Sequence, residues 1–277
     1  MKKGINIWAY GDKPLAHCLR EANETGFDGI ELAYPLTGEI GPDSTPAKMK
    51  AIARQAAELG IEICSLAAGI GWKYNMASED AEERAQAKTH LLKALELAAA
   101  LGAPSVLVIP GFLGPFQAGA PVVADYEAAY ARATETLRAA APRAEELGVN
   151  MSIENVWNKL LGSPLEMRQF IDGIGSPRAR AYFDVGNVMR SGYPEHWIRV
   201  LGSRIACVHF KDYKVNVGTL DGFVELLQGD VDYKAVMAAL RAIGYSGYAT
   251  AEVFPTRMAP QAVPIRAKQA MDLIFQM

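Results

Sequence analysis

Cysteine and histidine are both scarce in this chain of 277 residues, with three of the first and four of the second. Cys18, Cys64 and Cys207 are odd in number, far apart and without a C-x-x-C pair. That usage argues against a disulfide framework and against a cysteine-built zinc site, and it fits a reducing cytoplasm. Clustered charge is missing too: 28 Lys plus Arg stand against 31 Asp plus Glu, a net charge of −3, with no run of five or more of one sign. Nothing here marks a nucleic-acid or membrane partner.

Long apolar runs are equally absent. The most apolar stretch, Leu91 to Gly114, is interrupted by Lys93, Glu96, Gly102, Pro104 and Pro110, unlike a membrane span. The opening "MKKGINIWAYGDKP" holds only a strand-length apolar run before Gly11 and Asp12, too short for the core of a signal peptide. No linker or low-complexity segment breaks the chain, so residues 1–277 read as one domain. No G-x-G-x-x-G follows the first strand, which counts against a doubly wound nucleotide-binding sheet.

What is present is an alternation of two patterns. The runs "GINIWA", "GIELAY", "IEICSLAA", "SVLVIP", "VNMSIENV", "RAYFDV", "IACVHF" and "YATAEVF" are almost continuously apolar, as expected of strands buried on both faces. Between them, helical spacing of apolar residues spans roughly Pro14 to Thr25, Thr45 to Leu59, Ser78 to Leu101, Asp125 to Leu147, Pro164 to Ile174, Pro194 to Leu201, Tyr233 to Ile243 and Gln261 to Phe275. Ser78 and Asp232 read as helix starts, and Gly26, Gly60, Gly102, Gly148 and Gly244 as helix ends. Eight strand–helix units in a chain of this length predict a single (β/α)8 TIM barrel.

In such a barrel the C-terminal strand ends form the active face, so polar residues late in a strand point at the site. This rule selects Trp8, Glu31, Glu154, Asp184, His209 and Glu252. Glu154, Asp184, His209 and Glu252 fall on the fifth to eighth strands in succession, and neighbouring strands lie about 4.8 Å apart. Three carboxylates and one imidazole without a thiolate suit a hard or borderline divalent ion. Left without a cation, carboxylates so gathered would be forced toward protonation. Glu31 lacks acidic companions on adjacent strands and reads as a structural carboxylate at the barrel rim. His90, inside a helix, and His196, in a first helical turn, read as structural.

The segments "SIENVWN", "AYFDVGNV", "VHFKD" and "GDVDYKAVMAALRAIGYSGYATAEV" resemble the sugar-phosphate isomerase/epimerase group of the xylose-isomerase-like barrels, which includes tagatose/psicose 3-epimerases and L-ribulose- and L-xylulose-5-phosphate 3-epimerases. The resemblance runs over essentially the whole chain. It implies that Glu154, Asp184, His209 and Glu252 hold a divalent metal, Mn2+ foremost, with Mg2+, Co2+ or Zn2+ as alternatives. It also implies that Glu154 and Glu252 are the catalytic acid/base pair, that the substrate is a small sugar or sugar phosphate, and that the protein is a homo-oligomer, dimer or tetramer. The expected reaction is 3-epimerisation of a ketose or ketose phosphate through a metal-stabilised cis-enediolate. Aldose–ketose isomerisation, or dehydration or lysis of a keto-sugar or keto-inositol, would use the same site. An apurinic-endonuclease-like DNA hydrolase shares the barrel but needs a three-zinc cluster with more histidines than His17, His90, His196 and His209 supply.

Two departures from the free-ketose enzymes stand out. They carry a histidine three residues after the strand-6 aspartate and an arginine six after the strand-7 histidine, where this chain has Asn187 and Val215. Positive charge for a substrate would then come from Lys211, Lys159 or Lys73. Trp8, Trp72, Trp157, Asn187 and Lys211 are the expected substrate contacts, with Tyr74 and Phe112 as further aromatic candidates. Asp212 is expected to touch substrate or to orient His209.

Overall fold

The computed structural model describes residues 1–114 and 124–277. Eight parallel strands close into a barrel: β1 (Lys2–Asn6), β2 (Gly29–Ala33), β3 (Glu62–Ala68), β4 (Ser105–Val108), β5 (Asn150–Glu154), β6 (Ala179–Asp184), β7 (Ile205–Phe210) and, after a small hairpin, β10 (Tyr248–Ala251). β10 lies between β7 and β1 and seals the ring. The hairpin pairs β8 (Asp212–Tyr213) with β9 (Phe223–Val224) in antiparallel fashion, and the sequence pattern did not show it.

Helices α1 (Leu15–Thr25), α2 (Pro46–Glu58), α3 (Ala81–Leu101), α4 (Tyr126–Leu147), α5 (Pro164–Ile174), α6 (Pro194–Leu201), α7 (Tyr233–Ala242) and α8 (Val263–Gln276) follow the barrel strands in turn. Five of their starts are fixed by side chains that satisfy first-turn N–H groups: Thr45, Asp80, Asp125, Ser163 and Asp232 each accept one such bond. The start expected at Ser78 lies at Ala81 instead. Ser78 Oγ accepts from Asp80 N at 3.1 Å, which leaves Asp80 to cap the helix through Glu82 N at 2.9 Å. The last helix begins at Val263, not Gln261, because Pro260–Ala262 forms a 3-10 turn.

Strand residues divide between two environments. Outward-facing Met151, Ile153, Phe183, Val208 and Phe210 join the apolar layer between barrel and helices, each contributing about 1.5–3 kcal/mol by burial. Inside the barrel a smaller apolar group, Ala67, Leu107, Ile109, Tyr182 and Cys207, fills the core. Alternation along β5, β6 and β7 carries the same inward face through Ser152, Tyr182 and Cys207 to Glu154, Asp184 and His209. Asp184 pairs in register with His209, and Glu154 with Tyr182. The inward face of these strands therefore ends in ionisable residues at the C-terminal mouth, where barrel enzymes place their chemistry.

Close packing of the loops behind this layer depends on Gly186, just past β6. A Cβ there would stand 2.7 Å from the Lys211 carbonyl oxygen. Gly186→Ala is expected to lower stability by about 1–3 kcal/mol through overpacking, read as a shift in the urea midpoint; an unmoved midpoint would refute that close contact.

Candidate active site

One ligand atom from each of Glu154, Asp184, His209 and Glu252 falls within 4.8 Å of the others, and all four residues are buried. His209 turns Nδ1 into the group, 3.0 Å from Glu154 Oε1, 3.4 Å from Glu252 Oε2 and 4.0 Å from Asp184 Oδ2. Asp184 Oδ1 accepts from Asn187 N at 2.7 Å, while Asp184 Oδ2 is buried without a hydrogen-bond partner among the described residues. An ionised oxygen left so would cost on the order of several kcal/mol, which favours either protonation or a cation beside it. Three carboxylates and one imidazole, with one carboxylate oxygen that accepts no hydrogen bond, fit a divalent ion.

Protonation follows from the crowding. Burial pushes Asp184 well above the ordinary carboxylate range and Glu154 upward, and the neighbouring Glu252 charge adds to both. Glu252 goes the other way: burial opposes its ionisation, but the Lys211 ammonium and the His209 charge bring it down to about 2. Lys211 Nζ is 2.9 Å from Glu252 Oε2 and 3.9 Å from Asp184 Oδ2. Burial also works against the charged form of His209, yet the Glu31 and Glu252 carboxylates hold it well above its usual value.

What aims His209 is Glu31, which accepts from Nε2 at 2.8 Å and has no exposed surface. Ser65 Oγ at 2.7 Å and Tyr182 Oη at 2.6 Å donate to its second oxygen, and Asn6 Nδ2 donates to the first. Glu31 thus sits in the barrel interior under His209, not at the rim where the sequence reading placed it. With Nε2 held by a carboxylate, Nδ1 is the nitrogen left for the centre. Asn155 performs a similar service for Asp184, donating Nδ2 to its carbonyl at 2.8 Å and accepting from its N–H at 2.9 Å.

Above the four residues opens a cavity of about 590 Å3. Trp8, Trp72, Trp157, Asn187 and Lys211 line it, as do Glu154 and Glu252, whereas Asp184 and His209 lie beneath it. Phe254 completes one wall by stacking on Trp8 at 6.1 Å. Asn187 is partly committed, its Nδ2 donating to Asn155 O at 2.9 Å. Other expected residues stand elsewhere. Tyr74 stacks on His90, Phe112 leans on Trp72, and Lys73 lies over Tyr74 in a neighbouring recess. Val215 is half exposed. Asp212 neither lines the cavity nor touches His209: it accepts from Tyr213, Gly229 and Val231 N–H groups and so ties down the loop after β9.

A closed (β/α)8 barrel with a buried acid–imidazole centre at its C-terminal mouth is the architecture of a barrel enzyme. The chain belongs to the xylose isomerase-like TIM barrel family, whose profile matches residues 19–274. Among characterised relatives, the fructoselysine 3-epimerase of Shigella flexneri is 23% identical across 98% of this chain and 96% of its own. The L-ribulose-5-phosphate 3-epimerase of Salmonella paratyphi C is 25% identical across 84% and 81%. The D-psicose 3-epimerase of Clostridium cellulolyticum H10, solved with D-tagatose, shares the fold with a TM-score of 0.82 at 19% identity, covering 99% of this chain and 98% of that one.

Two outcomes test this geometry. Glu31→Gln removes the carboxylate that holds His209 Nε2 and is expected to weaken Mn2+ binding about 10- to 100-fold, measured by calorimetry on protein whose circular dichroism is unchanged. Mn2+ binding is also expected to tighten as pH rises. Against burial, the neighbouring carboxylates favour the protonated form of His209, while burial and neighbouring charge favour those of Glu154 and Asp184, and protons held there must leave before the side chains can ligate. Calorimetry in buffers of different ionisation enthalpy counts the protons; none released would contradict this account.

Proposed function

We propose that the protein is a divalent-cation-dependent 3-epimerase of a ketose or ketose phosphate, with Glu154 and Glu252 as its acid/base pair. The supporting observation is the division of the four-residue centre. Glu154 and Glu252 reach the cavity, while Asp184 and His209 are wholly covered. We take Mn2+ as the ion, since an oxygen-rich donor set with one imidazole admits it, and when bound there a divalent cation would neutralise the carboxylates and polarise a carbonyl beside a hydroxyl.

The two glutamates stand at the ends of β5 and β10, which are separated in the barrel by β6 and β7. They therefore approach a substrate from different sides. One carboxylate removes the proton on the carbon next to the carbonyl, the other returns a proton to the opposite face, and the centre inverts. Lys211, 2.9 Å from Glu252 Oε2, fixes the direction of that carboxylate. Trp8, Trp72 and Trp157 offer flat apolar walls for the C–H face of a sugar, and Asn187 a polar edge for its hydroxyls. The three free, buried cysteines suit the cytoplasm. A dimer or tetramer of this chain completes the reading.

A screen of ketoses and ketose phosphates in deuterated water tests it. Chelator-treated protein is expected to lose exchange and regain it with Mn2+, with deuterium entering at C3. Deuterium at C1 or C2 with an aldose product would instead make it an isomerase. Glu154→Gln and Glu252→Gln are each expected to slow turnover by about 10²- to 10⁴-fold. Full activity of either variant would sink the two-carboxylate mechanism.

A further inference from the structure

Beside the cavity lies a second chamber of about 860 Å3, and the two share walls at Val156, Trp157, Asn187 and Leu220. A small ketose already fits the first cavity, whose volume lies in the range of ordinary small-molecule pockets. The second therefore has room for something attached to the sugar. Its charged lining consists of Lys159, from the segment between β5 and α5, Arg190, from the segment between β6 and α6, and Asp221, from the segment between β8 and β9. Two cations against one carboxylate leave an excess of one positive charge. Ser191 and Thr219 add hydroxyls to the same lining.

Within the described residues the two cations are uncommitted. Among the described residues neither side chain has an ion pair or a hydrogen bond, and the Arg190 guanidinium is held only by the Trp157 ring, 5.2 Å from its centroid. Residues 115–123 contain no Asp or Glu that could pair with them. Lys211, by contrast, is spent on Glu252. Asp221 is engaged locally, accepting from Thr219 Oγ1 at 3.4 Å.

Lys159 is also placed with effort. Its φ of 62° and that of Leu161, 60°, are left-handed, a conformation that side chains with a Cβ resist. The buried Asn158 holds this turn, donating Nδ2 to Gly111 O at 2.7 Å and accepting from Leu160 N at 3.0 Å. Backbone strain maintained by a buried anchor presents Lys159 on the chamber wall.

Building on the epimerase reading above, we propose that the substrate is a ketose bearing a terminal anionic substituent, a phosphate or a carboxylate. That substituent enters the second chamber and is bound by Arg190 and Lys159 while the keto end reaches Glu154 and Glu252. Arg190 then supplies, from the loop after β6, the guanidinium that Val215 cannot.

Wild type, Arg190→Gln and Lys159→Gln are compared by kcat/KM on neutral ketoses, ketose phosphates and ketose–amino acid conjugates with a free carboxylate. Calorimetric binding of a ketose phosphate and of a conjugate is measured alongside. Wild type is expected to favour one anionic class, and each variant to lower the anionic-to-neutral ratio about tenfold or more, mainly through KM, as for loss of one charge-assisted hydrogen bond. The favoured class tells phosphate from carboxylate. A wild type that handles neutral ketoses equally well, or a ratio unmoved in both variants, overturns the proposal and leaves the epimerase reading intact. Should no sugar exchange deuterium, that reading fails, and binding decides the chamber alone: anionic binding lost in the variants supports it, and absence of binding by wild type overturns it.

Discussion

Three carboxylates brought to one imidazole in a water-poor barrel mouth repel one another, and much of the surrounding structure answers that repulsion. From below, Glu31 holds His209 by Nε2 and is itself saturated by Asn6, Ser65 and Tyr182. From above, Lys211 lies against Glu252 and near Asp184. Asn155 fixes the backbone of Asp184 from the adjoining strand end. One oxygen, Asp184 Oδ2, accepts no hydrogen bond within the described residues, and that is where a cation has most to contribute.

Exposure then assigns different work to chemically similar groups. Asp184 and His209, wholly covered, are in a position to hold an ion and little else. Glu154 and Glu252 line the cavity from the ends of two different strands, and Lys211 draws the second toward its ionised form. The cavity walls come from the loops after several strands, so substrate choice can vary without disturbing the buried group. Lys159 and Arg190 extend that principle to a neighbouring chamber made by the loops after β5 and β6.

The barrel and its centre were largely legible from residue order because both follow local rules. Near-continuous apolar runs marked strands, helical spacing marked helices, and Asp232 marked a helix start that holds. The hairpin of β8 and β9 was not legible, since two-residue strands are shorter than any hydrophobic period. Ser78 was mistaken for a cap because Asp80 competes two residues on. Arg190 lies just past a strand end that had already been singled out, and extending the same sorting rule by six residues would have reached it.

Local patterning was enough to establish eight strands, their helices, and four ionisable residues at successive strand ends, because each is a property of neighbours along the chain. Ring closure settled the rest. It set Glu31 beneath His209, three strand positions round the barrel, and so chose which imidazole nitrogen faces the carboxylates. It also left two glutamates open to the cavity, kept Asp212 for a loop, and joined two chambers along Trp157. Contacts across a closed sheet depend on shear and side-chain direction, and these take effect only when the last strand meets the first.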